Sequence, residues 1–424
     1  MPRFIYSLLT YLALPLVLVR LMLRARKAPA YRQRWGERLG WYSADVVKTS
    51  GPTIVFHAVS VGEVHAAQPL IEAILQARPD VQVVVTAMTP TGSDRVKTLF
   101  GERVRHVYLP YDLPGAVERF LDKFSPAVLV LLETELWPNL IHSSHQQNCR
   151  VILANARLSA RSQQRYRRFP NLTRSVLENL DVVLAQSVED GERFQQLGLH
   201  TSRLQINGTL KFDVAVDKDK VHKAAIFKTG LGARPVWIAA STREGEEGKV
   251  LEAFAVAVRQ LPSLLLVLVP RHPERFVETY QLAESLGYRA SRYSSGVAVT
   301  ADTQVLIGDT MGDMQFYFSL ADIAFVGGSL VDTGCQNIIE PAALGLPILT
   351  GPSLYNFQAV SDLLVAAGGM EVVADARSLG LRVAELLRTP QQLFVMGEKA
   401  KTVVATNQGA TTRLSKIILE QLAG

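Results

Sequence analysis

The sequence predicts an α/β protein built from two doubly wound parallel sheets. Short runs of β-branched and aliphatic residues alternate with helical stretches from residue 51 onward, the pattern of parallel strands covered on both faces. A charged, irregular stretch at 206–235 separates these runs into two sets of five. A length of 424 residues suits two or three domains. We therefore expect two α/β domains joined by a connection at 206–235.

The N-terminus has the features of a membrane anchor. Residues 4–19 are almost continuously apolar, the apolar run resumes at 21–23, and basic residues follow it. This order predicts attachment to anionic lipid with the downstream chain in the cytoplasm. A cleaved signal peptide is the main alternative, and the position of the basic residues after the apolar run disfavours it. Arg20 and Pro15 weaken a clean span, so the sequence leaves open whether the helix crosses the bilayer or lies on it.

The positive charge of the chain is concentrated in the same segment. Residues 1–50 contain nine Lys or Arg and only two acidic residues, Glu37 and Asp45, whereas the net charge of the whole chain is +6. The remainder is nearly neutral, so the basic composition does not indicate nucleic acid as a partner. The only two cysteines, Cys149 and Cys335, exclude a disulfide framework and indicate a reducing compartment.

In the first half, the predicted strands are 53–57, 81–87, 127–132, 151–154 and 182–185. Ligands of such sheets bind at the carboxyl ends of the strands. After the first strand, Glu63 falls at a helix start, where it is either an acid that favours the helix dipole or a general base for a hydroxyl. Gly62 permits a tight turn there, and His57 is expected to pack at the strand end. Two acids beside Trp137 follow the third strand.

An arginine-rich stretch follows the fourth strand. Residues 157–174 contain six arginines and no acid. Four of them recur at helical spacing and would share one face: Arg157, Arg161, Arg165 and Arg168. The ordinary interpretation is a solvated helix face. We favour a surface for a polyanion, because guanidinium groups bind phosphates through paired hydrogen bonds.

In the second half, the predicted strands are 236–240, 264–269, 305–307, 323–326 and 347–349. Polar loops follow them, including 327–337, which is rich in small residues and leads into a helix that carries Glu340. Such a loop can bind phosphate through free N–H groups, and the glutamate can accept hydrogen bonds from a ribose diol. The second half is therefore predicted to bind a nucleotide. No G-x-G-x-x-G motif or P-loop is present, which disfavours a dehydrogenase or a Walker-type ATPase.

Seven motifs together resemble the bacterial 3-deoxy-D-manno-octulosonic acid (Kdo) transferases. In chain order they are HAVSVGE (57–63), MTPTGS (88–93), ETELWPN (133–139), NARLS (155–159), VPRHPERF (269–276), GDTM (308–311) and GGSLVDTGCQNIIEP (327–341). The resemblance extends along essentially the whole chain. It implies a GT-B fold, which consists of two facing Rossmann-like domains, here with an N-terminal membrane-anchor helix. It also implies an enzyme that transfers Kdo from CMP-Kdo to a phosphorylated lipid A precursor. The reaction would take place in the interdomain cleft with inversion at the anomeric carbon. It implies no cofactor and no protein-bound metal.

The resemblance also implies roles for individual residues. Glu63 matches the general base. The acceptor-binding set is Ser60, Gly62, Thr91, Glu133, Glu135, Arg157, Arg161, Arg165 and Arg168. The set that holds the CMP moiety is Arg271, His272, Met311, Gly312, Ser329, Asn337 and Glu340. Two positions depart from the family pattern, because Cys335 stands where glycine is usual and Asp313 where glutamate is usual.

The expected domains are an anchor at 1–30, an acceptor-binding domain at 31–205, a linker at 206–235, a CMP-Kdo-binding domain at 236–405 and a C-terminal helix at 406–424 that packs back on the first domain. The expected location is the cytoplasmic face of the inner membrane. Three alternatives remain: a GT-B transferase that uses a UDP-sugar, a sugar-nucleotide epimerase, and a non-catalytic membrane-bound binder. The number of Kdo residues transferred is not evident from the sequence.

Overall fold

The computed structural model describes residues 1–43 and 51–423, which form two compact units. Unit 1 comprises Met1–Asp213 with the C-terminal Gln408–Gly424, and unit 2 comprises Val214–Asn407. Asp45 and Lys48, which contribute to the N-terminal charge count, lie outside the described residues, as does Gly424 at the end of the expected C-terminal helix.

Unit 1 is built on a seven-stranded parallel sheet with the order β3-β2-β1-β4-β5-β6-β7. Its strands are β1 (Thr53–His57), β2 (Gln82–Ala87), β3 (Arg105–Tyr108), β4 (Pro126–Leu132), β5 (Arg150–Ala156), β6 (Val182–Ala185) and β7 (Leu204–Ile206). The chain order reverses beside β1, so this strand and β4 flank the switch point at which doubly wound sheets bind ligands.

Helices cover both faces of this sheet. They are α1 (Arg3–Lys27), α2 (Trp35–Arg38), α3 (Val61–Ala77), α4 (Pro90–Phe100), α5 (Pro114–Phe124), α6 (Pro138–Gln146), α7 (Ala160–Arg167), α8 (Pro170–Glu178), α9 (Val188–Gln196) and α18 (Ala410–Ala423). One core lies between the sheet and α3, and the C-terminal α18 completes it with Leu414 and Ile418. A second core on the opposite face contains Phe120 and Leu153. The C-terminal helix is therefore an integral part of unit 1.

Unit 2 repeats this architecture around a second seven-stranded parallel sheet, with the order β10-β11-β9-β8-β12-β13-β14. Its strands are β8 (Val236–Thr242), β9 (Leu265–Pro270), β10 (Ala290–Arg292), β11 (Val305–Ile307), β12 (Ile323–Val326), β13 (Ile348–Thr350) and β14 (Met370–Val372). Its helices are α10 (Lys218–Leu231), α11 (Glu246–Val258), α12 (Phe276–Ser285), α13 (Met314–Leu320), α14 (Ile339–Ala343), α15 (Gln358–Ala367), α16 (Ala376–Leu387) and α17 (Pro390–Asn407).

The predicted class of two doubly wound parallel sheets is confirmed, and all ten predicted strands are present. The prediction of an irregular connection at 206–235 is wrong for the second half of this stretch, which forms α10. Asp217 accepts hydrogen bonds from the N–H groups of Asp219 and Lys220 and thereby starts α10. Ala224 and Leu231 of this helix are buried in a core of unit 2. Among its charged residues, Lys218, Asp219 and Lys223 are exposed, whereas Lys220 and Lys228 are partly buried.

Candidate active site

The polar loops of unit 1 meet at one edge of its sheet. Strands β2, β1, β4 and β5 are neighbours, and their carboxyl ends lead into the loops or first helical turns that carry Thr91, Glu63, Glu133 and Arg157 respectively. In a parallel sheet these ends share one edge, so the four loops surround the switch point.

Glu63 lies in the first turn of α3 with its carboxylate folded back over the helix N-terminus. Oε2 accepts a hydrogen bond from the Val59 N–H at 2.8 Å, and Oε1 accepts one from the Ser60 hydroxyl at 3.0 Å. Ser60 is also the N-cap, since its Oγ accepts from the Glu63 N–H. The carboxylate is thus held in one orientation at the strand end.

Burial raises the pKa of Glu63 to about 7. The hydrogen bonds from Val59 and Ser60 oppose this shift, and the nearby carboxylates of Glu133 and Glu135 add to it. A surface glutamate that only caps a helix would have a lowered pKa, because the dipole favours its charged form. A carboxylate that titrates near neutrality is instead matched to proton transfer at physiological pH.

The backbone of Glu133 and the carboxylate of Glu135 are held in place near Glu63. Glu133 has φ of 55°, in the left-handed region that is uncommon for residues other than glycine, and its N–H donates to the Ala154 carbonyl. The Glu135 carboxylate accepts a hydrogen bond from the Trp137 indole at 2.8 Å. Burial raises the pKa of Glu135, and the Glu133 charge adds to this shift. Backbone strain of this kind is concentrated at functional sites.

His57 is a packed residue, as the sequence predicts. Its ring lies edge-on to Trp137 with centroids 6.0 Å apart, and Nδ1 lies 2.8 Å from the Thr86 hydroxyl. The imidazole is fully buried, which lowers its pKa to about 3. His57 therefore stays neutral at physiological pH and supports the indole that holds Glu135.

Two further residues predicted for the acceptor lie in helix N-terminal turns. Thr91 is exposed in the first turn of α4, where its hydroxyl lies 3.4 Å from that of Thr89. Gly62 is the second residue of α3 and does not have a positive φ. A Cβ added to it would meet only the Ser60 Oγ, at an ordinary 3.7 Å. Gly62 therefore lies in ordinary helical backbone, which other residues could also adopt.

The predicted arginine face is exposed. Arg161 and Arg165 lie on α7, with Arg157 before the helix and Arg168 at its C-cap. Within residues 1–43 and 51–423, none of these four side chains forms an ion pair. Guanidinium groups that have no ion pair among the described residues keep their donors available to an anionic ligand.

In unit 2, the loop after β12 is organised by a buried carboxylate that is not among the predicted site residues. Glu246 is fully buried, and Oε1 accepts hydrogen bonds from the N–H groups of Ser329 and Leu330. Oε2 accepts from those of Gly328 and Arg243. The prediction that this loop offers free amides to a phosphate is wrong here, because Glu246 occupies three of them.

The adjacent Glu247 braces the neighbouring loop. Its carboxylate pairs with the Arg275 guanidinium through contacts of 3.2 and 3.1 Å, and this pairing raises the pKa of Arg275. The Arg243 guanidinium also donates to Nε2 of His272 at 2.6 Å. The start of α11 thus ties together the loops that follow β8, β9 and β12.

Glu340 lies partly buried at the start of α14. The Asn337 amide donates to its Oε1 at 2.8 Å, and the Asn337 Oδ1 accepts from the Ile339 N–H. Burial raises the pKa of Glu340, while Asn337 and the charges of Lys220 and Arg271 oppose the shift. Within the described part of the chain, Oε2 accepts no hydrogen bond, so it is available to a ribose hydroxyl.

Lys220 also lies beside predicted donor-binding residues, although the sequence places it in the expected connection at 206–235. From α10, its ammonium donates to the Gly312 carbonyl and lies 3.9 Å from Asp313. Gly312 has φ of 85°, which glycine tolerates best, and the neighbouring Met311 is exposed. A capping aspartate starting a helix at 217 was the sequence signal that could have identified this placement.

Ser329 and Cys335 are buried in the loop after β12. The Ser329 hydroxyl donates to the Val326 carbonyl and accepts from the Gly351 N–H, so this side chain holds the loop. Cys335 does not have a positive φ, and its N–H donates to the Ser353 carbonyl. Cysteine in place of the usual glycine therefore needs no left-handed backbone.

Comparisons with known proteins agree with these motifs. A family model described as 3-deoxy-D-manno-octulosonic-acid transferase (kdotransferase) matches residues 33–214. A 3-deoxy-D-manno-octulosonic acid transferase of Haemophilus influenzae is 39% identical over 98% of this chain and 98% of its own length. The chain belongs to this family. Another relative with this name, from Bordetella pertussis, is 36% identical over 97% of this chain and 98% of its own length.

Solved structures of lower identity share the fold of this Kdo transferase family member. A glycosyltransferase from Rickettsia africae has a TM-score of 0.58 at 13% identity, over 88% of this chain and 99% of that chain. A UDP-GlcNAc 2-epimerase from Neisseria meningitidis has a TM-score of 0.57 at 16% identity, over 88% and 99%. The predicted GT-B architecture is thereby confirmed, and the family makes the chain a glycosyltransferase.

Proposed function

We propose that this Kdo transferase moves Kdo from CMP-Kdo to a hydroxyl of the glucosamine disaccharide of a phosphorylated lipid A precursor, in lipopolysaccharide synthesis. The observation that carries the proposal is the Glu63 carboxylate, fixed at the carboxyl end of β1 with a pKa of about 7. Glu63 takes the proton of the acceptor hydroxyl, and the oxygen attacks the anomeric carbon of Kdo. The bond to the phosphate oxygen breaks, and CMP leaves with inversion.

The other residues of unit 1 support recognition of the acceptor. Glu133 and Glu135 can accept hydrogen bonds from sugar hydroxyls, as can the Thr91 hydroxyl. The exposed arginines of 157–168 supply positive charge for the phosphates. Residues Arg3–Arg26 form a helix long and apolar enough to cross a membrane. We assign it to attachment at the cytoplasmic face of the inner membrane, where the lipid acceptor resides.

Unit 2 supplies the groups proposed for CMP. Glu340 Oε2 accepts from the ribose, Arg271 provides an exposed guanidinium for the phosphate, and the exposed Met311 offers an apolar surface to the base. Competition by nucleotides separates this proposal from a transferase that uses a UDP-sugar. CMP should inhibit transfer and protect unit 2 against heat, and equal protection by UDP would favour the UDP-sugar enzyme.

The decisive experiment is Glu63→Gln, which keeps the shape of the side chain and removes its basicity. We expect transfer from CMP-Kdo, followed by mass spectrometry of the lipid product, to fall by about 10²–10⁴-fold, with CMP-Kdo affinity unchanged. The matched control is Glu102→Gln, an exposed glutamate of the same unit, which should keep wild-type turnover. Wild-type turnover in Glu63→Gln would remove Glu63 as the base.

A further inference from the structure

The apolar N-terminal helix α1 has two different faces along its whole length. Seven of the more shielded side chains recur at helical spacing and form one stripe, and Ile5, Tyr6, Ala13 and Leu18 are also partly shielded. The stripe consists of Arg3, Ser7, Thr10, Leu14, Val17, Leu21 and Ala25. The exposed side chains of the opposite face are almost all large and apolar: Phe4, Leu8, Leu12, Leu16, Val19 and Leu23. A helix that crosses a bilayer alone is surrounded by lipid on all sides, so a continuous shielded stripe is not expected for it.

The N-terminal end of α1 is fastened to unit 1 by polar contacts. The Arg3 guanidinium donates to Asn139 Oδ1 at 3.1 Å, and the Ser7 hydroxyl donates to the same oxygen at 2.9 Å. The Tyr11 hydroxyl accepts from the Gly115 N–H. Asn139 is itself buried and fixed by Asp112, whose carboxylate accepts from the N–H groups at the start of α6.

These contacts are incompatible with a spanning orientation. The 25 residues of α1 have a length of about 38 Å at 1.5 Å per residue, so a spanning helix would place its first turn on the far side of the bilayer. Its first turn instead touches α6, on the same polar unit that carries Glu63 and the arginine face. The hydrocarbon core cannot separate groups that are within hydrogen-bond distance of each other.

The attachment point is the ligand-binding edge of the sheet. Helices α5 and α6 follow β3 and β4, so their first turns lie at the carboxyl edge that also presents Glu63 and Glu133. Gly115 and Asn139, which hold α1, belong to these first turns. Asn139 is only two residues from Trp137, the indole that holds Glu135. A surface occupied by α1 is therefore next to the acceptor site.

The charge of α1 indicates which kind of partner covers its exposed apolar face. Leu16, Phe4 and Leu12 are 74, 70 and 66% exposed. A contiguous apolar surface of this kind marks a site that another molecule or a membrane covers. The same helix exposes Arg20, Arg24 and Arg26 toward its C-terminus. No acidic side chain pairs with these three arginines in the part of the chain that the structure describes. Amphipathic helices with this distribution bind the headgroup region of anionic membranes.

We propose that α1 lies in the plane of the membrane surface, with its apolar face in one leaflet and its N-terminus on the same side as unit 1, so that lipid is presented directly at the carboxyl edge of the first sheet. This inference deepens the proposed function and rests on its lipid acceptor. The test below uses no substrate. Failure of the topology and failure of the Kdo transfer reaction are therefore separate results.

Labelling of introduced cysteines tests the topology in native membranes. Pro2→Cys marks the start of α1, and Glu118→Cys marks the surface of unit 1, both at exposed positions. The two native cysteines are buried, and the chain without added cysteine gives the background. An impermeant maleimide should label both sites in inverted vesicles and neither in intact spheroplasts. Labelling of position 2 from the spheroplast side alone would overturn the proposal.

The depth of spin labels in the bilayer distinguishes an in-plane α1 from a spanning α1. Nitroxide labels at Leu8→Cys, Leu12→Cys, Leu16→Cys and Val19→Cys should report equal, shallow depths in vesicles that contain anionic lipid. A spanning helix would instead give a gradient of about 16 Å between positions 8 and 19, which would refute the in-plane arrangement.

Substitution on the exposed face tests its occupant. Leu12→Asp with Leu16→Asp should lower the bound fraction on anionic vesicles at least tenfold. The control Ile226→Asp, at an exposed apolar residue of unit 2, should leave it unchanged. Unchanged vesicle binding in the double variant would contradict the proposal. A change from dimer to monomer in vesicle-free solution, with vesicle binding unchanged, would show that a second copy of the chain covers this face instead.

Discussion

The first strand of each unit ends in a turn that carries glutamate, and the two turns use the carboxylate in opposite ways. After β1, Glu63 accepts two hydrogen bonds, is partly exposed and has a pKa of about 7. After β8, Glu246 is fully buried and accepts four backbone N–H groups. The same topology thus holds the proposed base in one unit and a structural brace in the other.

The difference lies in how completely each carboxylate is satisfied. Four charge-assisted hydrogen bonds hold Glu246 to one conformation and leave no lone pair for a substrate. Glu63 keeps lone pairs available, and its burial makes proton uptake easier. An acidic residue at a strand end is therefore a candidate base only where its oxygens remain open to a ligand.

Among the variants that test the different roles of Glu63 and Glu246, Glu246→Gln is expected to have the largest effect. The introduced NH₂ group would face two N–H donors, so about two hydrogen bonds would be lost, each worth about 1.5–3 kcal/mol. We expect the thermal midpoint of unit 2 to fall by roughly 6–24 °C, with CMP-Kdo affinity weakened. Differential scanning calorimetry and nucleotide titration measure both quantities.

If the two glutamates have these different roles, Glu63→Gln should behave in the opposite way to Glu246→Gln. Glu63→Gln should keep the thermal midpoint and the CMP-Kdo affinity within error while it loses turnover. If Glu246→Gln were as stable as the wild type and bound CMP-Kdo equally well, Glu246 would not be the brace of the loop after β12.

An intermediate effect is expected on the arginine face of unit 1. Arg161→Glu with Arg165→Glu should raise the KM for a phosphorylated acceptor by about tenfold and flatten its salt dependence, because screened charge attraction is lost. The fold should be unaffected, since both side chains are exposed and neither forms an ion pair with another described residue. Steady-state kinetics at several salt concentrations provide the measurement.

A matched control has the same change in net charge. Arg259→Glu with Arg377→Glu alters two exposed arginines of unit 2 and should leave the acceptor KM unchanged. An equal rise in KM for both double variants would mean that net charge, and not the α7 surface, attracts the acceptor.

The sequence predicts the central strands and misses the edges, for a physical reason. The four strands absent from the prediction are β3, β7, β10 and β14, which are the outer strands of the two sheets. They are three or four residues long and partly exposed. They consequently lack the continuous aliphatic runs that identify strands buried on both faces.

Local sequence patterns also identify only part of the candidate active site. Glu63 was identifiable because a motif and a strand-end position coincide. The role of Glu246 depends on amides 82–84 residues away in the sequence, which local spacing does not encode. Lys220 was missed because a run of charged residues predicts solvent exposure whether or not the opposite helix face is buried, as it is at Ala224.

The smallest expected effect concerns the charge beside the proposed base. The nearby Glu133 carboxylate raises the pKa of Glu63, so Glu133→Gln should let Glu63 lose its proton at lower pH. Because the base acts when deprotonated, kcat/KM should fall as the pH drops through about 7 in the wild type, and this midpoint should move down by less than about one unit in the variant. Glu102→Gln should not move it. An upward shift in Glu133→Gln would show that Glu133 does not act on Glu63 through its charge.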